Sequence, residues 1–132
     1  MEFPHSILDE LIAHAREDAP DECCGIVAAR DGRAVKLFRA TNAEASPVRY
    51  SLDPREQYEI TMEIERRGWD LGVIYHSHTR SPAYPSQTDV NLAFYPDALY
   101  VIVSVVDPDS PEVKAFRIVD RQIEEVPLSV ED

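Results

Sequence analysis

The residues best suited to chemistry lie in one run, His76-Ser77-His78-Thr79-Arg80-Ser81-Pro82-Ala83-Tyr84-Pro85-Ser86-Gln87-Thr88-Asp89. Leu71-Gly72-Val73-Ile74-Tyr75 just before it is short, apolar and rich in β-formers, so it reads as a buried strand leading into the histidines. Residues i and i+2 of a strand point to the same face. His76 and His78 can therefore aim both imidazoles at one point, and Asp89 can add an oxygen. Two nitrogens and one oxygen leave a tetrahedral corner open for water, as a catalytic zinc requires. The expectation is one zinc per chain, with Ser86 as a helper beside it.

Each piece also has a plainer explanation. A His-x-His pair can be two polar residues at a strand end, and Ser86-x-x-Asp89 is a capping box that starts a helix. Their close succession shifts the balance towards a metal. Other His-x-His chemistries fit less well. Arg80 stands where a metallo-β-lactamase site needs its aspartate, and the downstream Pro-Cys-x-x-Cys of a zinc deaminase is missing. Neither His-Glu-x-x-His nor a P-loop occurs. His5 and His14 fall before and within the first helix, where solvated roles are expected.

The elements that must position these residues follow from periodicity and punctuation. Ser6 to Arg16 carries apolar residues at helical spacing behind a Ser6-x-x-Asp9 cap, and Pro20 marks its end. Cys24–Arg30 and Ala34–Ala40 flank Asp31-Gly32, a strong hairpin signal. Pro47–Leu52 reads as a short strand at a sheet edge. Asp53-Pro54-x-Glu56 opens a second helix that runs to about Arg67 and closes at Gly68. After the Leu71–Ser77 strand and the motif loop, Thr88 to about Tyr95 reads as a short helix. Leu99–Val106 is a central strand, and Glu112–Val119 with Gln122–Val126 make a last hairpin around Asp120-Arg121. The mixture gives an α/β class, one mixed sheet with helices on both sides. No repeat or linker divides residues 1–132, so a single domain is expected.

Composition narrows the partners. With 13 Lys and Arg against 25 Asp and Glu, the formal charge is −12. A nucleic acid or an anionic membrane wants a basic face, so neither is expected. No stretch approaches the ~18 apolar residues of a membrane span, and the acidic first twenty residues show no signal peptide. A cytoplasmic protein is the expectation. Cys23 and Cys24, the only cysteines, are neighbours and so poorly placed for an unstrained disulfide. Their apolar setting reads as strand and core, and a thiol nucleophile is the weaker reading.

The pattern His76-x-His78, seven residues, Ser86-x-x-Asp89, with Glu22 upstream in Pro20-Asp21-Glu22-Cys23-Cys24-Gly25, resembles the signature of the JAMM (MPN-plus) metalloisopeptidases. The resemblance covers essentially the whole chain. It implies a cytidine-deaminase-like fold, zinc on His76, His78 and Asp89, Glu22 as general base turned acid, and Ser86 as donor to the oxyanion. Thr41-Asn42-Ala43-Glu44, Tyr75-His76-Ser77-His78 and Ala83-Tyr84-Pro85-Ser86 are most similar to the bacterial Mec branch. That branch implies a small ubiquitin-like sulfur-carrier protein ending in Gly-Gly as partner, with cysteine released from its C-terminus. The long insertions of polyubiquitin enzymes have no room here. Alternatives stay open: removal of a ubiquitin-like modifier from lysines, hydrolysis of small amino-acid conjugates, or a scaffold without zinc. An extended substrate tail could pair with a strand edge, for which Pro47–Leu52 is the candidate. The oligomeric state is not legible.

Overall fold

A computed structural model describes residues 1–131. Its elements are β1 (Glu2–Phe3), α1 (His5–Asp18), β2 (Cys24–Arg30), β3 (Arg33–Ala40), α2 (Pro54–Arg66), β4 (Asp70–His78), α3 (Gln87–Asn91), β5 (Leu99–Ser104), β6 (Glu112–Val119), β7 (Gln122–Val126) and β8 (Ser129–Val130). All eight strands join one sheet in the order β7-β6-β5-β4-β2-β3-β1-β8. β4 is central, antiparallel to β2 and parallel to β5. The parallel β4–β5 pair needs a crossover, and the motif loop with α3 supplies it. No helix among the described residues is long and apolar enough to cross a membrane.

Strand alternation sends two sets of side chains to opposite cores. Val27, Val73, Tyr75, Val101 and Val103 pack on Phe3, Ile7 and Leu11 of the α1 face. Ile26 and Ala28 meet Ile60 and Ile64 of α2 on the other face. Ile74, Tyr100 and Ile102 continue that second face to Val90 of α3. The mixed sheet with helices on both sides is thus as expected. So is the first hairpin, whose Asp31 and Gly32 both take positive φ (51° and 79°), as its two-residue turn requires. Gly25 has a separate reason: a Cβ there would collide with the ring of Tyr75 and the carbonyl of Phe38.

Several expectations need correction. The first helix starts at His5, not behind a Ser6 cap: Pro4 is its N-cap, and the Pro4 carbonyl accepts from Ile7 and Leu8 N–H at 3.1 and 3.3 Å. Ser6 and Asp9 therefore lie inside the helix and make no capping box. Pro47–Leu52 is not a strand. It keeps one bridge, Asn42 to Leu52, because Asn42 claims its backbone groups: Asn42 Nδ2 donates to Arg49 O and Ser51 N donates to Asn42 Oδ1. The third helix ends at Asn91 rather than near Tyr95, since Tyr95 N–H donates to the Tyr100 hydroxyl at 3.0 Å instead of to a helical carbonyl. The central strand stops at Ser104, whose hydroxyl donates to Ser81 O at 2.7 Å and accepts from Val106 N–H. β1 and β8, two residues each, leave no alternation to read.

Candidate metal centre

Across the sheet, Cys24 of β2 is the partner of His76 in β4. His76 and His78 share the face of Cys24 and Ile26, at the end of β4 where the motif loop leaves. Their Nε2 atoms are 3.1 Å apart. Asp89 Oδ2 lies 3.1 Å from the first and 3.0 Å from the second. All three residues are buried. A tetrahedral zinc with ligand bonds of about 2.0–2.1 Å wants ligand atoms about 3.3 Å apart, so the spacing fits.

The donor set makes the same point. His78 Nδ1 is 2.8 Å from the carbonyl of Pro82, which can only accept, so Nδ1 carries the proton and Nε2 turns its lone pair inward. Burial alone would raise the Asp89 carboxyl, but the imidazoles of His76 and His78 beside it and the Ser86 N–H hold it well below the usual carboxylate range. An ionised oxygen and a ring lone pair thus face one another, a grouping that needs a cation between them. Burial lowers the basicity of both rings. For His78 the nearby Asp89 carboxylate and the Pro82 carbonyl outweigh it and the net shift is upward, whereas His76 stays lowered. No residue partners His76 Nδ1, and the Tyr50 ring stacks on the imidazole at 4.2 Å between centroids.

Asp89 owes its position to α3. Ser86 Oγ accepts from Asp89 N–H at 3.1 Å, and Asp89 Oδ2 accepts from Ser86 N–H at 2.9 Å, a reciprocal capping box. The carboxylate oxygen aimed at the histidines is the one that closes the cap. The two readings of Ser86-x-x-Asp89 are therefore compatible. Ser86 is exposed, and its own hydroxyl proton is not engaged by the cap.

Glu22 precedes β2. The antiparallel register pairs Cys24 with His76, and Ser77 N–H donates to Cys23 O at 3.1 Å. Two residues further out, Glu22 falls opposite His78 on the same face. Its side chain is 4% exposed and Oε1 has no partner. Burial pushes its carboxyl up to about 7, against the opposing pull of His78. A polar cleft of about 530 Å³ lies beside it, lined in part by His14, Asp18, Asp21 and Asn42. An apolar cavity of about 160 Å³ is lined by Tyr50, the residue stacked on His76, with Leu52, Ile74, Tyr95 and Tyr100.

The structure therefore brings together all five residues singled out in the sequence and adds others. Asn42 Nδ2 donates to Glu22 O and Arg49 O, and Asn42 Oδ1 accepts from Glu44 and Ser51 N–H, so one amide fixes the backbone of Glu22. The bond to Glu44, two residues on, is an Asx turn that sequence could suggest; the reach to Glu22 leaves no local signal. His14 is a correction: it is buried, not solvated, because Tyr75 hydroxyl meets its Nδ1 at 2.7 Å. Both cysteines are buried, and burial pushes each thiol up to about 12, which removes the thiolate nucleophile.

Residues 4–119 match the family model described as prokaryotic homologs of the JAB domain. A CysO-cysteine peptidase of Mycobacterium tuberculosis is 46% identical over 126 residues, covering 94% of this chain and 86% of that protein. A desampylase of Haloferax volcanii is 41% identical over 103 residues, covering 73% of this chain and 74% of its own. The solution structure of protein DSY2949 from Desulfitobacterium hafniense superposes with a TM-score of 0.89 at 33% identity, covering 100% of this chain and 94% of that one.

Proposed function

Because the chain belongs to the prokaryotic JAB family of metallopeptidases, we propose that it cuts the amide bond after the C-terminal glycine of a small ubiquitin-like sulfur carrier and releases cysteine. The observation that carries the reading is the buried group of His76, His78 and Asp89 with the unpartnered Glu22 carboxyl opposite His78. The choice of substrate rests on the similarity to the CysO-cysteine peptidase. Residues 1–132 act as one domain, and the pairing of β1 with β8 in the same sheet supports this. Two unpaired buried thiols suit a cytoplasmic setting.

His76, His78 and Asp89 would hold one zinc, which would supply an acidified water, with a pKa of about 7, and a Lewis acid for the scissile carbonyl. Glu22 Oε1 takes a proton from the water and returns it to the departing amine. A buried carboxyl with an unpartnered oxygen opposite His78 is placed to do both. The water oxygen ends on the carrier's terminal glycine, which becomes a carboxylate, and the amine leaves with the proton. Ser86 Oγ is anchored by Asp89 N–H and keeps its own proton to donate to the carbonyl oxygen as charge builds there. The Pro82 carbonyl fixes the tautomer and tilt of His78, and Asn42 fixes the backbone from which Glu22 projects.

The test is to incubate zinc-loaded protein with a carrier ending in Gly-Gly-Cys and weigh the carrier before and after. Loss of one cysteine residue is expected. An intact conjugate beside fully loaded protein refutes the reading. The second reading, cleavage of a carrier from protein lysines, is favoured by the similarity to a desampylase. Faster turnover of a lysine-linked conjugate in the same assay would select it.

A further inference from the structure

Cations are scarce in this chain, 13 against 25 acids, and among the described residues seven of them are in ion pairs. Arg33, Arg39, Arg55 and Arg67 each hold a carboxylate. Arg80 and Arg49 do not: among the described residues neither has an ion pair, and both are exposed. Arg80 lies in the short loop that leaves His78 and returns to it, since the Pro82 carbonyl meets His78 Nδ1 at 2.8 Å. Arg49 immediately precedes Tyr50, whose ring covers His76. Thr79 Oγ1 donates to Pro20 O at 2.9 Å and to Pro47 O at 3.3 Å, which clamps the two arginine-bearing loops side by side. Two arginines without an ion pair therefore sit in the loops beside the metal ligands.

The chemistry of the leaving group says what they are for. A released amino acid carries its α-carboxylate one carbon from the scissile nitrogen, about 2.5 Å away. In a chain of formal charge −12 that carboxylate, once drawn out of water into the site, needs a hydrogen-bonding and charged partner. A lysine side chain joined to a carrier brings no carboxylate to that place. Arginine presents a planar fork matched to a carboxylate. We propose that Arg80, assisted by Arg49, binds the α-carboxylate of the released residue, so that the protein removes a C-terminal amino acid and discriminates against lysine-linked conjugates. This rests on the peptidase reading above and assigns that site its specificity.

The experiment compares two conjugates of the carrier CysO, one ending in cysteine and one in cysteine amide, which differ only in that charge. Wild-type protein should prefer the acid by about tenfold or more in kcat/KM, expressed mainly in KM and weakened by added salt. Arg80→Ala should bring the ratio close to one, Arg80→Lys should restore part of it, and Arg49→Ala should lower it less. Arg66→Ala, at the far end of α2, should keep the wild-type ratio. Equal turnover of acid and amide by wild-type protein overturns the inference and leaves the peptidase reading standing. So does a preference that survives both alanine variants. Failure to cut either conjugate overturns the peptidase reading and the inference with it.

Discussion

On one face of β4, His76 and His78 turn their Nε2 atoms towards each other and towards Asp89; on the other face, Tyr75 meets His14. All three imidazoles are buried. Around His14 every polar atom has a complementary partner. Burial lowers its pKa, so the ring is neutral; the Tyr75 hydroxyl donates to Nδ1, and Nε2–H points at Asp18, 3.3 Å away. At the other site the Pro82 carbonyl takes His78 Nδ1–H, so His78 Nε2 meets the Asp89 carboxylate acceptor to acceptor, and nothing partners His76 Nδ1. The difference teaches that burial does not mark a reactive histidine. A closed donor–acceptor chain is structural, whereas convergent lone pairs ask for a cation.

The sharpest way to break this comparison is to remove a ligand. Asp89→Asn or His78→Ala should abolish metal binding and reduce turnover to background, read by elemental analysis and carrier mass spectrometry. If His78→Ala keeps its full complement of metal, the two faces do not differ as argued. Glu22→Gln comes next: it should bind metal normally and lose about 10²–10⁴ in kcat. It should also change the pH dependence of stability in chelated protein. The Glu22 carboxyl titrates near 4.5 when unfolded and at about 7 when folded, so its contribution is full below 4.5 and is lost as pH rises through 7. Urea midpoints of chelated wild-type protein should carry that downward component between pH 5 and 7.5, and Glu22→Gln should lack it.

Ser86→Ala separates two roles of one oxygen. As an oxyanion donor its loss costs about 10²–10³ in kcat; as a cap it costs about 1 kcal/mol of stability. Both losses are expected, and a stability loss with intact turnover would confine Ser86 to the cap. The smallest effect belongs to the structural face. Tyr75→Phe leaves His14 Nδ1 without its partner and should cost about 1–2 kcal/mol in urea unfolding, with metal content and turnover unchanged. Loss of metal in this variant would mean that the faces are coupled through β4.

Sequence reached one face of β4 better than the other, for a physical reason. His76 and His78 are two apart on a strand, and Asp89 sits in its own cap, so local spacing carries most of the ligand set. Glu22 is 54 residues before His76 in the chain, and only the resemblance pointed to it before the β2–β4 register placed it opposite His78. His14 was expected in solvent because helical spacing shows which residues share a face but not that a tyrosine hydroxyl waits beneath it. Tyr50 over His76 is equally nonlocal. Pro47–Leu52 has the composition of a strand, yet Asn42, from outside the segment, takes the hydrogen bonds a neighbouring strand would have used. The hairpins, set by two-residue turns, were legible at once.

The capping box at Ser86 has a consequence for motion. α3 is five residues long, too short to persist on its own stability, and its first turn shares Asp89 Oδ2 with the ligand cluster. Fraying of that turn should therefore release a bound cation, and loss of the cation should loosen the turn. A bound ion should slow deuterium uptake at the Asp89 and Val90 amides, whose acceptors are Ser86 Oγ and Ser86 O, and chelation should speed it, while the amides of β5 exchange at the same rate in both states. The backbone of α3 would thus serve as an occupancy gauge for the site, readable without any substrate.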